Sequence, residues 1–171
     1  MTEDKIGMSE EETAAGAAVA AGTDAAEKQA SEAEKIAAEK GLHILYEDNH
    51  IIVALKPQML GCCPDESKDD NLFDKIKEYI KEAYKKSGNV YLGLVHRLDR
   101  PTGGVMVYAK TSKAAARLSE GLQKGDFEKK YLAVLVGEVE GERGTLTNYL
   151  RKNTVNNMVY ICTPSEDGAK Y

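Results

Sequence analysis

The chain has no tryptophan and only two phenylalanines in 171 residues, so its nine tyrosines carry most of the aromatic surface. Its three cysteines are an adjacent pair, Cys62 and Cys63, and a distant Cys162; that odd count argues against a disulfide framework. There is no C-x-x-C, and His43, His50 and His96 stand at no metal-ligand spacing with the thiols. Thiols idle in a reducing compartment, and no metal, are therefore expected. No run approaches the roughly 20 apolar residues of a membrane-spanning helix. The N-terminus opens with Thr2-Glu3-Asp4, acidic where a signal peptide is basic. These absences predict a cytoplasmic protein without a membrane partner. The chain also lacks a Walker A stretch and a G-x-G-x-x-G, so no nucleotide cofactor is expected.

What is present divides unevenly. Apolar residues make up 42%, enough for the core of one domain plus a tail. The net charge is −5, but residues 1–40 hold ten acids against four lysines, which leaves +1 for 41–171. The domain is thus near neutral, which neither supports nor excludes nucleic-acid binding through a local basic patch. Residues 1–40 contain twelve alanines and no aromatic residue. Such a stretch buries little, and an acidic tail, disordered or a marginal helix over Ala25–Lys40, is expected there. The domain is expected over 41–171.

Within the domain, Ile44-Leu45-Tyr46 and Ile51–Leu55 read as two strands joined by the turn Glu47-Asp48-Asn49, with Pro57 ending the second. Asp70 or Asn71 can cap a helix in which Leu72, Phe73, Ile76, Tyr79, Ile80 and Ala83 form one stripe, with Gly88 following it. Tyr91–Val95 and Val105–Ala109 read as strands. Thr111 or Ser112 caps a second helix with Ala115, Leu118 and Leu122 inward and Gly125 closing it. Tyr131–Gly137 reads as a strongly apolar strand, and Thr145–Leu150 and Met158–Thr163 as weaker ones. The order of elements predicts an α+β fold: a mixed, largely antiparallel sheet with two helices.

One segment asks for a chemical explanation. His96–Gly104 sets Arg97, Asp99 and Arg100 on a loop between two apolar strands, with Pro101, Gly103 and Gly104 fixing its path. An Arg–Asp ion pair that merely ties the loop down is the plainer alternative. The kinase motif His-Arg-Asp is interrupted here by Leu98, and no Asp-Phe-Gly follows, so a kinase is excluded.

His96–Gly104 matches His-Arg-Leu-Asp-x-x-Thr-x-Gly, and with it the chain resembles the RluA-type RNA pseudouridine synthases (RluA, RluC and RluD). Tyr46–Pro57 looks like the opening hairpin of that family, Val105–Thr111 like the strand after its catalytic loop, and Lys129–Gly137 like its Lys-x-Tyr-x-Ala-x-x-x-Gly strand. The resemblance covers about 43–171. Gly103 stands where the family often has Ser, a change expected only to loosen the turn. Family catalytic domains continue into a block of Thr-Gly-Arg-x-His-Gln-Ile-Arg character and a basic partner for the catalytic Asp, neither of which is present here. Truncation at the C-terminus is thus expected, with Gly168–Tyr171 as the start of a further strand.

The resemblance implies isomerisation of uridine to pseudouridine in rRNA or tRNA, with no cofactor. Asp99 is then the catalytic residue, as nucleophile or charge stabiliser, with Tyr131 stacking on the flipped uracil or moving a proton. Arg97 and Arg100 would keep Asp99 charged, and Arg97 would fill the gap left by the flipped uridine. His96 and Thr102 are supporting residues on the substrate side. A strand Tyr facing the core and a loop His bonded to backbone are the plainer alternatives for Tyr131 and His96. Lys124, Lys129 and Lys130 are candidate phosphate contacts or a solvated basic face. The rival functional reading is a catalytically inactive RNA-binding remnant or fragment.

Overall fold

A computed structural model describes residues 27–66, 68–139, 141–156 and 158–170. The chain divides into two compact units, the first ending at Glu128 and the second running over Lys129–Tyr171.

The first unit is built on an antiparallel hairpin. Strand β1 (His43–Glu47) turns into β2 (Ile51–Lys56). The turn forms because the Asp48 carboxylate accepts both the His50 and Ile51 N–H groups at 2.7 Å. A bulge at Leu45 shifts the register between Ile44↔Ala54 and Tyr46↔Val53. Strand β4 (Gly104–Ala109) pairs along the other edge of β2, and the short β3 (Gly93–Leu94) pairs beyond it, giving the order β1-β2-β4-β3 with every neighbour antiparallel. The fold is therefore α+β, as the alternation of short strands and helices predicts. Strand β3 is shorter than the expected Tyr91–Val95.

Period-2 alternation buries one face of this sheet. Ile52, Ala54 and Lys56 of β2 lie opposite Tyr108, Met106 and Gly104 of β4, and all but the glycine are fully buried. Helix α2 (Leu72–Ala83) lays Leu72, Ile76, Tyr79, Ile80 and Ala83 into the same core. Asn71 caps it, its side chain accepting the Asp74 N–H at 2.9 Å. The helix ends at Ala83, earlier than Gly88 predicts. Helix α3 (Ser112–Lys124) is capped by Thr111 and closed by Gly125 at φ +80°, as expected. Its stripe of Ala115, Leu118 and Leu122 is half-buried.

Most of the expected N-terminal tail lies outside the described residues. Its last part, 27–39, is a helix, α1, with Ala33 and Ala37 buried in the core cluster, and Lys40 bridges to Glu82 of α2 at 2.8 Å. Core packing thus starts before Gly41. Among the described residues, no helix is long and apolar enough to cross a membrane.

In the second unit, β5 (Tyr149–Lys152) and β6 (Val159–Cys162) form a hairpin, and Lys170 exchanges two backbone hydrogen bonds with Leu150 on the other side of β5. The expected strand over Tyr131–Gly137 does not form; the backbone over 131–135 carries no regular structure. A strand exists only through a partner's N–H and C=O groups, and no described segment supplies them. Leu132, Val134 and Val136 consequently stand fully in solvent.

Candidate active site

The loop between β3 and β4 is fixed at each stage of its path. Where β3 stops pairing, His96 takes over: its Nε2 accepts the Val107 N–H at 3.1 Å. Accepting at Nε2 calls for the tautomer with its proton on Nδ1. Three residues on, the Thr102 N–H donates to the Asp99 carbonyl at 3.0 Å and closes a turn over Arg100 and Pro101. The Arg100 carbonyl accepts twice, from the Met59 N–H at 2.8 Å and from Lys56 Nζ at 3.1 Å.

Lys56 is the residue that sequence reasoning missed. The sequence leaves it between the strand Ile51–Leu55 and Pro57 with no role, yet it is fully buried, and its ammonium also donates to the carbonyls of Leu60 at 2.6 Å and Pro57 at 3.1 Å. Burial pushes its pKa down, as does Arg100, while Cys62 and the Asp99 carboxylate act in the opposite sense. A lysine closing the alternation Ile52, Ala54, Lys56 on the buried face was the available signal.

Two glycines let the loop lie close. A Cβ on Gly103 would stand 3.2 Å from Gln58 Cγ and 3.3 Å from the Lys56 carbonyl, so glycine here permits contact with 56–58 beyond merely loosening the turn. Gly104 has φ +153° and Leu98 Cδ1 beside it, 3.3 Å from where a Cβ would stand.

The flanking segment 57–70 holds the loop's two guanidinium groups. Arg100 binds Asp69 at 2.7 Å and Asp65 at 3.3 Å. Arg97 is exposed, and its hydrogen bond to the Cys62 sulfur, with the Cys63 and Cys62 sulfurs close by, raises its pKa. Asp99 is exposed at the tip between them. Thr102 is half-buried behind it. The structure thus brings His96, Arg97, Asp99, Arg100 and Thr102 onto one braced loop. Tyr131 belongs to the second unit and is 65% exposed. Lys124 pairs with Glu120 on α3. The arrangement offers an accessible carboxylate on a rigid turn with a cation two residues away, which suits a nucleophile or a stabiliser of developing positive charge.

Comparison with known proteins places these features in context. A sequence profile described as RNA pseudouridylate synthase matches residues 50–171. The chain is 34% identical over 122 residues to an uncharacterized RNA pseudouridine synthase, YhcT, of Bacillus subtilis, covering 70% of this chain and 39% of that protein. It is 38% identical over 96 residues to ribosomal large subunit pseudouridine synthase D of Xanthomonas campestris, covering 56% and 28% respectively. With ribosomal large subunit pseudouridine synthase C of Escherichia coli the identity is 32% over 125 residues, covering 73% and 37%. The chain therefore spans 28–39% of the length of these relatives. The solved human RNA pseudouridylate synthase domain containing 4 shares the fold, with a TM-score of 0.61 at 20% identity over 84% of this chain and 54% of that one.

Proposed function

Because this chain belongs to the RNA pseudouridylate synthase family, we propose that its braced loop serves the isomerisation of uridine to pseudouridine in RNA, with Asp99 as the catalytic residue. The observation that supports this reading best is the contrast within the loop. The loop is bonded through the His96 side chain and through the backbone carbonyls of Asp99 and Arg100, while the Asp99 side chain is left accessible. A carboxylate held on a fixed turn meets a substrate without first paying for its own ordering.

In this reading the N1–C1′ bond of a flipped uridine breaks, the uracil turns, and C5 joins C1′, with Asp99 acting on the sugar or the base. Arg97, exposed beside it, fills the space the uridine leaves. Arg100, Thr102 and His96 keep the loop in place around the nucleotide. Tyr131 stacks on the uracil or moves a proton. No cofactor enters the reaction. The substrate is rRNA, in line with the ribosomal large subunit named for two of the relatives, and a cytoplasmic location goes with it.

A second reading, RNA binding without turnover, is favoured by one observation: the segment carrying Tyr131 is exposed and unpaired among the described residues. The experiment that separates the two is pseudouridylation of unmodified bulk rRNA and tRNA by this chain beside its Asp99→Ala variant. Product that depends on Asp99 supports the enzyme. RNA retention by both chains with product from neither supports the binding reading.

A further inference from the structure

The cysteines that composition left idle lie against the braced loop. Cys62 is buried, Cys63 is half-buried, and their sulfurs are 3.8 Å apart. The backbone beneath them is anchored: the Gly61 carbonyl accepts the Leu72 N–H at 2.8 Å, and the Cys62 carbonyl accepts the Tyr108 hydroxyl at 3.2 Å. The Cys62 and Cys63 sulfurs also lie near Arg97, whose pKa they raise.

We propose that Cys62 and Cys63 form a vicinal dithiol site that a small-molecule disulfide oxidises to an internal Cys62–Cys63 bond, changing the sulfurs beside the loop that carries Arg97 and Asp99. The Cys63 thiolate, on the more accessible residue, attacks one sulfur of the oxidant and expels a thiolate, which takes up a proton. Cys62 then gives up its proton and attacks the Cys63 sulfur, expelling the second thiol. Two protein thiols are oxidised and one oxidant disulfide becomes two thiols, so atoms and electrons balance.

Adjacent Cα atoms are about 3.8 Å apart, closer than the roughly 4.4–6.8 Å that an unstrained disulfide spans. The bond is therefore strained and readily reduced, which suits a reversible response and not a structural staple. To close it, the Cys62 and Cys63 side chains must turn toward each other, and the backbone of 62–63 that packs beside the loop must adjust. Burial raises the Cys63 pKa, so oxidation runs faster as pH rises. The thiol chemistry stands apart from the synthase reading; only a consequence for turnover rests on it.

The test uses the whole chain in glutathione buffers running from reduced to oxidised, followed by alkylation, mass spectrometry and hydrogen exchange. The expected oxidised product is lighter by two hydrogens, retains Cys162 as its one alkylatable thiol, and exchanges faster over 96–102 than the reduced chain. Cys162→Ser preserves this product, and Cys63→Ser, a near-isosteric change at a half-buried site, abolishes it. Glutathione left attached at Cys63 with no internal bond overturns the proposal. So does an internal bond that leaves exchange over 96–102 unchanged.

Discussion

The ammonium of Lys56 donates to the carbonyl of Arg100 at 3.1 Å, one residue past Asp99 and 44 residues away in the chain. That single bond ties the end of strand β2 to the turn that presents the candidate catalytic carboxylate. Replacing Lys56 with Met keeps the volume and removes all three of its donated bonds. The Pro57 and Leu60 carbonyls lose this donor while the Arg100 carbonyl keeps the Met59 N–H, and the chain should be less stable by about 2 kcal/mol. Urea unfolding measures this directly, and hydrogen exchange over 96–104 should rise in the same variant.

Asp99→Asn should separate stability from activity. The residue is exposed, and the bond at this position uses its backbone carbonyl, which the substitution retains. The unfolding midpoint should move by no more than about 0.5 kcal/mol, while any pseudouridine formation is lost. A large drop in stability would mean that the carboxylate serves the fold.

A buried polar cluster stabilises the far end of the sheet. Glu47 accepts from Tyr79 at 2.7 Å, from Tyr84 at 2.9 Å and from the Lys110 ammonium, whose side chain is 9% exposed. Glu47→Gln leaves that cation without its counter-charge, and a loss of about 3 kcal/mol is expected. Glu47→Gln combined with Lys110→Met should recover part of it.

The same cluster sets an alkaline limit. Burial, followed by the bond to Glu47, raises Tyr79 and pushes Tyr84 up to about 12; burial also raises Tyr108. These hydroxyls stay protonated in the fold at pH values where the unfolded chain has lost the proton. Their stabilisation is therefore complete below pH 10, the ordinary tyrosine value, and declines as pH rises through 12. Unfolding midpoints from pH 8 to 12 should fall at the upper end, and less steeply in Tyr84→Phe.

Gly104→Ala places a Cβ at φ +153° with Leu98 Cδ1 at 3.3 Å. Backbone strain and the clash together should cost about 2 kcal/mol. Gly88→Ala is the control for backbone strain alone, because a Cβ there meets nothing within 4 Å.

The features legible in the sequence are those set by neighbours in the chain. Asp48 turns a hairpin, Asn71 and Thr111 cap helices, and Gly125 closes one, each through bonds within a few residues. The stripe on α2 followed from helical period. The loop His96–Gly104 stood out because a dense set of charges and glycines between apolar strands has no packing explanation. Lys56 was harder to read, because a lysine before a proline reads as a solvated strand end and only its alternation with Ile52 and Ala54 marks it for the buried face. Its burial is made tolerable by the carbonyls of Pro57 and Leu60 together with that of Arg100, which arrives from far along the chain. Arg100 itself illustrates the same limit, since its partners Asp69 and Asp65 lie some thirty residues earlier. Tyr131–Val136 failed in the other direction: its composition is that of a strand, but pairing is a property of two segments.

Leu132, Val134 and Val136 have no cover, in a run from Tyr131 to Val136 free of charge and proline. Such a run is what chaperones grip and proteases find. How much of this protein a cell keeps would then be decided less by the strength of its core than by how soon something else settles on those six residues.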